Sequence, residues 1–343
     1  MDSIEEKRVY GTRDGATRLY VTSSIGVVRV RVAGDTVGEF SLCARCNARD
    51  IATVADGRVV IATDEDIREE TAANRDTDAA NRDDFALENT GFGPAVAVGA
   101  TRSTLLAAGP DGELGYRDLR NRNDGTDWHR CSADAITSVR AIDRDLVATD
   151  DGVYRFRPAD GELEHAGLSD VRDVSAAGIP LAATADGLYK LGNGWMAIRE
   201  EPFETVTADP RTERGRLARA HAISSADGSN SATVNDTNSR GAVYAFTDDD
   251  WTAIETPDEP IVDIGYGTGS TAEREQSDGS TETSSDSGSE STGPIYAVTE
   301  QGTILVTTEG TDEENSWRRR SLGVTDVTGL AVPASTVESS TER

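Results

Sequence analysis

Lysine is almost missing from this chain of 343 residues: only Lys7 and Lys190 occur, and 62 acidic residues face 34 basic ones for a formal charge of −28. Such a surface argues against a nucleic-acid partner, because it repels phosphate and counterion release gives little drive at high salt. Long apolar runs are also lacking. Nothing approaches the roughly 18 residues that span a bilayer, and the opening Met1-Asp-Ser-Ile-Glu-Glu-Lys has no apolar core of a signal peptide. No membrane association is expected, and the compartment reads as cytoplasmic. Three cysteines, an odd number, argue against a disulfide framework and suit a reducing environment.

Catalytic signatures are scarce as well. There is no Gly-x-Ser-x-Gly elbow, no phosphate loop and no His-Glu-x-x-His, and His129, His165 and His221 stand far apart in the chain. No cofactor is expected, and the chain reads more readily as non-catalytic than as an enzyme. Paired carboxylates need no motif, so a carbohydrate-acting enzyme stays open as a third reading. The scarcity of lysine beside abundant Asp and Glu is the composition expected of a cytosolic protein in a cell that holds molar salt. There the Debye length falls to about 3 Å and self-repulsion is screened.

What the chain does have is a repeated phrase. Ala148-Thr-Asp-Asp-Gly-Val-Tyr-Arg-Phe returns as Ala183-Thr-Ala-Asp-Gly-Leu-Tyr-Lys-Leu, and weaker copies put Val27, Ile67, Leu114, Val153, Leu188, Val243 and Ile304 in register. Seven copies spaced by about 46 residues match the roughly 40 to 50 of a four-stranded propeller blade. Within a copy the period is two, as in Val28, Val30 and Val32 alternating with Arg29 and Arg31, which is a strand and not a helix. Trp128, Trp195, Trp251 and Trp317 follow the landmark in copies three, five, six and seven. They read as packing residues between blades, with the indole N–H satisfied at the rim.

These observations predict an all-β fold, a seven-bladed β-propeller over residues 17–333. The first copy lacks an Asp-Val strand and the chain ends with Thr325-Asp-Val-Thr-Gly-Leu-Ala-Val, so the C-terminal strand is expected to complete the first blade. Such closure leaves no long unpaired edge. Residues 1–16 form an N-terminal extension and 334–343 a disordered tail. Polar stretches near 68–84, 226–240 and 268–292, poor in large apolar groups, are inserts in surface loops.

Three sets of residues carry candidate chemistry. Cys43-Ala-Arg-Cys46 has the spacing of half a zinc site and His129 with Cys131 offers another half, but a whole blade separates the two, so no metal site is expected. Asp50, Asp173, Asp263 and Asp326 each precede the Ile or Val of the strand expected to line the axis. They form a candidate acidic ring for a cation or small ligand, with backbone hydrogen bonding at a turn as the competing role. Arg211, Arg214, Arg216 and Arg219 crowd one loop and Arg318, Arg319 and Arg320 another, as contacts for an acidic partner or as ion pairs within the acidic shell.

The runs Ile4-Glu-Glu-Lys-Arg-Val-Tyr-Gly, Gly26-Val-Val-Arg-Val-Arg-Val-Ala-Gly-Asp, Ala148-Thr-Asp-Asp-Gly-Val-Tyr-Arg and Ala183-Thr-Ala-Asp-Gly-Leu-Tyr-Lys resemble an uncharacterised β-propeller family of halophilic archaea. The likeness covers nearly the whole chain outside the inserts. It implies a cytoplasmic propeller and carries over no catalytic or binding residue. The expected function is a scaffold that binds a protein partner. The alternative is a sensor or binding module with a small ligand or cation in the axial tunnel.

Overall fold

The computed structural model describes residues 16–71, 85–120, 127–132, 136, 138–225, 241–247, 249–256, 259–268, 293–307 and 317–334. Twenty-eight strands fall into seven four-stranded antiparallel sheets, with no helix among the described residues. Blade 1 joins β1 (Thr17–Ser23), β2 (Gly26–Ala33) and β3 (Thr36–Ala44) to the last strand of the chain. Blade 2 is β4 (Ala48–Thr53), β5 (Val59–Thr63), β6 (Ile67–Glu70) and β7 (Leu87–Asn89); blade 3 is β8 (Ala97–Ala100), β9 (Thr104–Ala108), β10 (Leu114–Asp118) and β11 (His129–Arg130). Blade 4 is β12 (Val139–Asp143), β13 (Leu146–Thr149), β14 (Gly152–Arg157) and β15 (Glu162–Gly167); blade 5 is β16 (Val171–Ser175), β17 (Leu181–Thr184), β18 (Leu188–Leu191) and β19 (Trp195–Arg199). Blade 6 is β20 (Phe203–Ala208), β21 (Ala220–Ser224), β22 (Val243–Thr247) and β23 (Asp250–Ile254); blade 7 is β24 (Ile261–Tyr266), β25 (Ile295–Thr299), β26 (Thr303–Thr307) and β27 (Arg318–Ser321). β28 (Val327–Ala331) pairs antiparallel with β1, Val21 opposite Leu330, and closes the ring as the sequence predicts.

All seven landmark residues lie in the third strand of their blades, and each is buried. The repeated phrase that precedes them is turn chemistry. In blades 4 and 5 the buried Thr149 and Thr184 hydroxyls donate to the carbonyls of Gly152 and Gly187 and accept the amides of the same glycines. A Cβ on Gly187 would stand 2.4 Å from the Arg199 carbonyl oxygen of the adjacent strand, so a side chain is excluded there.

Seven apolar clusters hold the ring together, one at each junction between neighbouring blades. The junction of blades 7 and 1 is as fully built as the others. There Tyr296, Val298 and Ile304 pack with Leu19, Val21 and Val28, all at most 1% exposed. Each large side chain buried in this way contributes about 1.5–3 kcal/mol. The tryptophans reach across the same junctions. Trp195 Nε1 donates to the Ala166 carbonyl at 2.9 Å, Trp317 to Glu255 at 3.0 Å and Trp128 to Thr90 Oγ1 at 3.3 Å, while Trp251 is buried between blades 5 and 6.

The first polar insert begins later than the sequence implies. Arg68, Glu69 and Glu70 are strand residues of β6, because Glu69 is neutralised between Arg58 and Arg117. Residues 72–84, 226–240 and 269–292 lie outside the described residues, as do 1–15 and 335–343.

Candidate axial site

The first strands of the seven blades, β28 in blade 1, surround the axis, each against the first strands of both neighbours. Their registers align on an apolar residue: Ile51, Val98, Ile142, Val174, Val206, Ile264 and Leu330. The residue before it is Asp50, Asp173 or Asp263 in blades 2, 5 and 7, and Ala97, Ala141, Thr205 or Gly329 elsewhere. Three of the four sequence-predicted carboxylates are therefore equivalent. Asp326 is not. It stands in the turn before β28 at φ 53°, three residues earlier in register, exposed, and accepts from the Ser24 and Thr325 hydroxyls at 3.2 and 3.1 Å. Gly329 occupies the place the ring would give an aspartate in blade 1.

The three equivalent carboxylates make the same two bonds. Oδ1 accepts the following amide of its own strand, from Ile51, Val174 or Ile264 at 2.7–2.8 Å. Oδ2 accepts the amide of the next blade's apolar residue, from Val98, Val206 or Leu330, each at 2.8 Å. A β-bulge at each aspartate interrupts the pairing with the second strand. Each side chain thus ties two blades together at the axis.

Asp143, one residue beyond the apolar position in blade 4, makes a related tie to the Ala176 amide at 2.7 Å. It was not visible as a member of the set because it falls outside the Asp-Val pattern. Burial pushes Asp50 up to about 7 and Asp263 up to about 6 against the opposing amide bonds. It also drives Asp173 well above, and Asp143 above, the usual carboxylate range.

Along the axis lies a cavity of about 1250 Å³ that the apolar level itself lines and that reaches the loops between first and second strands. Beside those apolar residues its wall holds small or short side chains, Ala52, Gly99, Gly265 and Ala331, and the carboxylates of Asp143, Asp173 and Asp263. Arg102, Arg144 and Arg211 stand in its lining, on loops of blades 3, 4 and 6. Arg144 adopts φ 55° and its guanidinium donates to the Pro210 carbonyl at 3.0 Å. Arg211 pairs with Asp209 at 2.5 Å.

Behind the rim, Arg219 is 7% exposed, lies 5.2 Å over the Tyr266 ring and donates to the Gly293 carbonyl. Tyr266 Oη lies 3.2 Å from the Thr207 carbonyl oxygen, to which it donates, and 2.9 Å from His221 Nδ1. Burial, and then the Arg219 charge, push His221 down to about 3, so this histidine is neutral and structural.

Cys43 and Cys46 stay apart from Cys131, as the blade count predicts. Cys43 and Cys46 pack at the junction of blades 1 and 2, and Cys131 at that of blades 3 and 4. Burial raises the Cys43 and Cys131 thiols to about 12. Arg318 pairs with Asp35 at 2.9 Å and Arg320 lies over Phe40, which ties blade 7 to blade 1.

No curated protein matches the sequence. Among solved structures the chain is similar to the WD40 β-propeller domain of Doa1, with 14% identity, 90% of this chain and 89% of that chain covered, and a TM-score of 0.53. It is also similar to the computationally designed Ika8 protein, with 11% identity, 93% and 91% coverage and a TM-score of 0.49. At 14% identity the likeness to the Doa1 domain concerns the fold alone. A family model described as HVO_0234-like β-propeller matches residues 3–333, so the chain belongs to that β-propeller family.

Proposed function

We propose that this protein is a non-catalytic interaction scaffold that docks a protein partner on the face of the ring where the axial cavity opens. The observation that carries this reading is the distribution of charge. In a chain of formal charge −28, Arg102, Arg144 and Arg211 from blades 3, 4 and 6 stand around the mouth of the cavity beside Asp145, with Asp143, Asp173 and Asp263 in the wall. The opposite face, built from second-to-third connections and from the turns between blades, presents Asp64, Glu65, Asp150, Asp151, Asp186 and Glu300. A face on which arginines alternate with carboxylates, opposite one that presents a row of carboxylates, suits selective docking on a rigid ring, since rim charges set specificity and encounter more than affinity. The acid surplus and the scarcity of lysine support a cytoplasmic setting at high salt.

The test is capture on immobilised protein at molar potassium chloride, followed by hydrogen exchange on the complex. A stoichiometric partner that protects the loops around Arg102, Arg144 and Arg211 is expected. Absence of any such partner, or protection confined to the outer strands, overturns the reading.

A second reading places a small ligand or cation in the cavity, favoured by Asp173 and Asp263 in its wall. A thermal-shift screen with cations, polyamines and sugars addresses it. A ligand-induced shift lost in Asp173→Asn/Asp263→Asn, with the fold intact, would support it.

A further inference from the structure

The axial cavity is bounded by aliphatic side chains of the first strands, Ile51, Ile142, Val174, Val206, Ile264 and Leu330 among them. Asp143, Asp173 and Asp263 stand in the same wall. An occupant that suits this lining is narrow, presents apolar groups and brings positive charge where the carboxylates lie.

The chain itself delivers such a segment to the place. Thr17, the first residue of β1, lines the cavity, so the residues that precede the first strand arrive at its mouth. They lie outside the described residues, yet the family model starts at residue 3, well before β1, and stops at residue 333, just past β28. The stretch before blade 1 is therefore shared with the family, and the tail from residue 335 is not.

Its composition departs from that of the rest of the chain. Lys7-Arg-Val-Tyr-Gly-Thr-Arg13 holds basic residues at 7, 8 and 13 and no acidic one, bounded by Glu6 and Asp14, where the whole sequence has 62 acids to 34 bases. Val9 and Tyr10 give the run an apolar centre. The tail offers neither feature, since Glu338 and Glu342 outweigh Arg343 and its one large apolar residue is Val337.

Reach is sufficient. An extended chain advances about 3.3 Å per residue, so the path from Thr17 back to Lys7 covers about 33 Å. The longest axial strands, β4, β20 and β24, have 6 residues each and run about 20 Å. Attachment beside the mouth also sets an effective concentration on the order of mM, so contacts too weak to hold a free peptide can keep a tethered one in place.

We infer that residues 7–13 of this chain occupy its own axial cavity, with Val9 and Tyr10 against the aliphatic wall and the basic groups of Lys7, Arg8 and Arg13 toward Asp143, Asp173 and Asp263. The segment then ties the blades through a common centre and takes the space that a small ligand would need. This goes beyond the scaffold reading, and its test involves no partner.

The experiment is photo-crosslinking of the full chain with Tyr10 replaced by p-benzoylphenylalanine, at a potassium chloride concentration where circular dichroism shows the native sheet signal. A pH of about 8 keeps Asp263, near 6, ionised. Mixing with isotope-labelled protein separates crosslinks within a chain from those between copies, and mass spectrometry locates them. The same measurement is made on Lys7→Glu/Arg8→Glu/Arg13→Glu, which tests the charge of the segment. Arg130→Glu/Arg319→Glu, on the outer strands β11 and β27, controls for bulk charge.

Crosslinks within the chain to Ile142, Val174, Val206 or Ile264 are expected, with their yield reduced by about fivefold or more in the segment variant and by less than about twofold in the control. Crosslinks confined to outer strands, crosslinks only between copies, or none from the folded protein each overturn the inference. Equal axial yield in the segment variant and the parent chain overturns the pairing of its basic groups with the axial carboxylates.

Discussion

Asp263 Oδ2 accepts the Leu330 amide at 2.8 Å, so a side chain of blade 7 grips the strand that the C-terminal end of the chain contributes to blade 1. The carboxylate also caps the Ile264 amide, and both donors lie in buried surroundings. Asp263→Ala leaves two amides without this acceptor, a loss of about 1–3 kcal/mol for each buried donor left unsatisfied. Chemical denaturation is expected to show a lower midpoint with an unchanged slope. A variant as stable as the wild type would mean that water or a backbone shift replaces the tie.

The same carboxylates give an unusual pH dependence. Asp50 near 7 and Asp263 near 6 lie above the ordinary value of 3.8, so between about pH 4 and pH 7 the folded state binds more protons than the unfolded chain. Their contribution to stability is fully present below about pH 4 and is lost as pH rises through these folded values. Melting temperature is therefore expected to rise as pH falls from about 7.5 towards 5, at fixed potassium chloride. In Asp50→Asn/Asp263→Asn the slope in this window should flatten. Equal slopes for variant and wild type would assign the effect to the acidic surface.

The ring was legible in the sequence because one local rule repeats with it: a buried threonine, a turn, then an apolar alternation beginning at residues such as Val153 and Leu188. The axial set was only partly legible. Val324-Thr-Asp-Val repeats the local pattern of Val171-Arg-Asp-Val, yet β28 begins at Val327 and places Gly329 at the axis, a register that pairing with β1 decides. Asp143 escaped for the opposite reason. Its tie to Ala176 depends on the neighbouring blade, which no dipeptide reports. The arginine mouth joins loops of blades 3, 4 and 6 that are remote in sequence, and only the closed ring brings them to one face.

The turn rule can be tested directly. Thr184→Val keeps the side-chain shape and removes a hydroxyl that both donates to the Gly187 carbonyl at 3.0 Å and accepts its amide at 2.9 Å. A loss of about 1–2 kcal/mol is expected from denaturant unfolding, and Thr184→Ser should retain most of the stability. Gly187→Ala should be worse than either, because its Cβ meets the Arg199 carbonyl oxygen at 2.4 Å. A neutral Gly187→Ala would contradict the close approach of Gly187 to the Arg199 carbonyl.

Salt should act on the molecule as a whole. With a formal charge of −28, potassium chloride screens self-repulsion, and the melting temperature is expected to climb between 0.1 and 2 M added salt, a range over which the Debye length falls from about 10 Å to below about 3 Å. Sucrose at matched osmolality separates screening from general exclusion. A melting temperature indifferent to potassium chloride would count against a high-salt setting.

Ring closure makes the strongest demand on the two ends of the chain. β28 supplies the first strand of blade 1, and Val327, Leu330 and Ala331, at 5–7% exposure, pack into the junctions on both sides of it. Burying one large aliphatic side chain contributes about 1.5–3 kcal/mol, and a missing β28 also leaves β1 with an open edge and Asp263 Oδ2 without its donor. A chain ending at Gly323 is therefore expected to lose cooperative unfolding and to associate through that edge. One ending at Ala334 should melt as the full chain does. Adding the peptide Thr325–Val332 to the shorter chain in excess should restore part of the transition, since any ligand that binds only the folded state stabilises it. Equal melting of the two truncations would contradict the pairing of Val21 with Leu330 on which the closed ring depends.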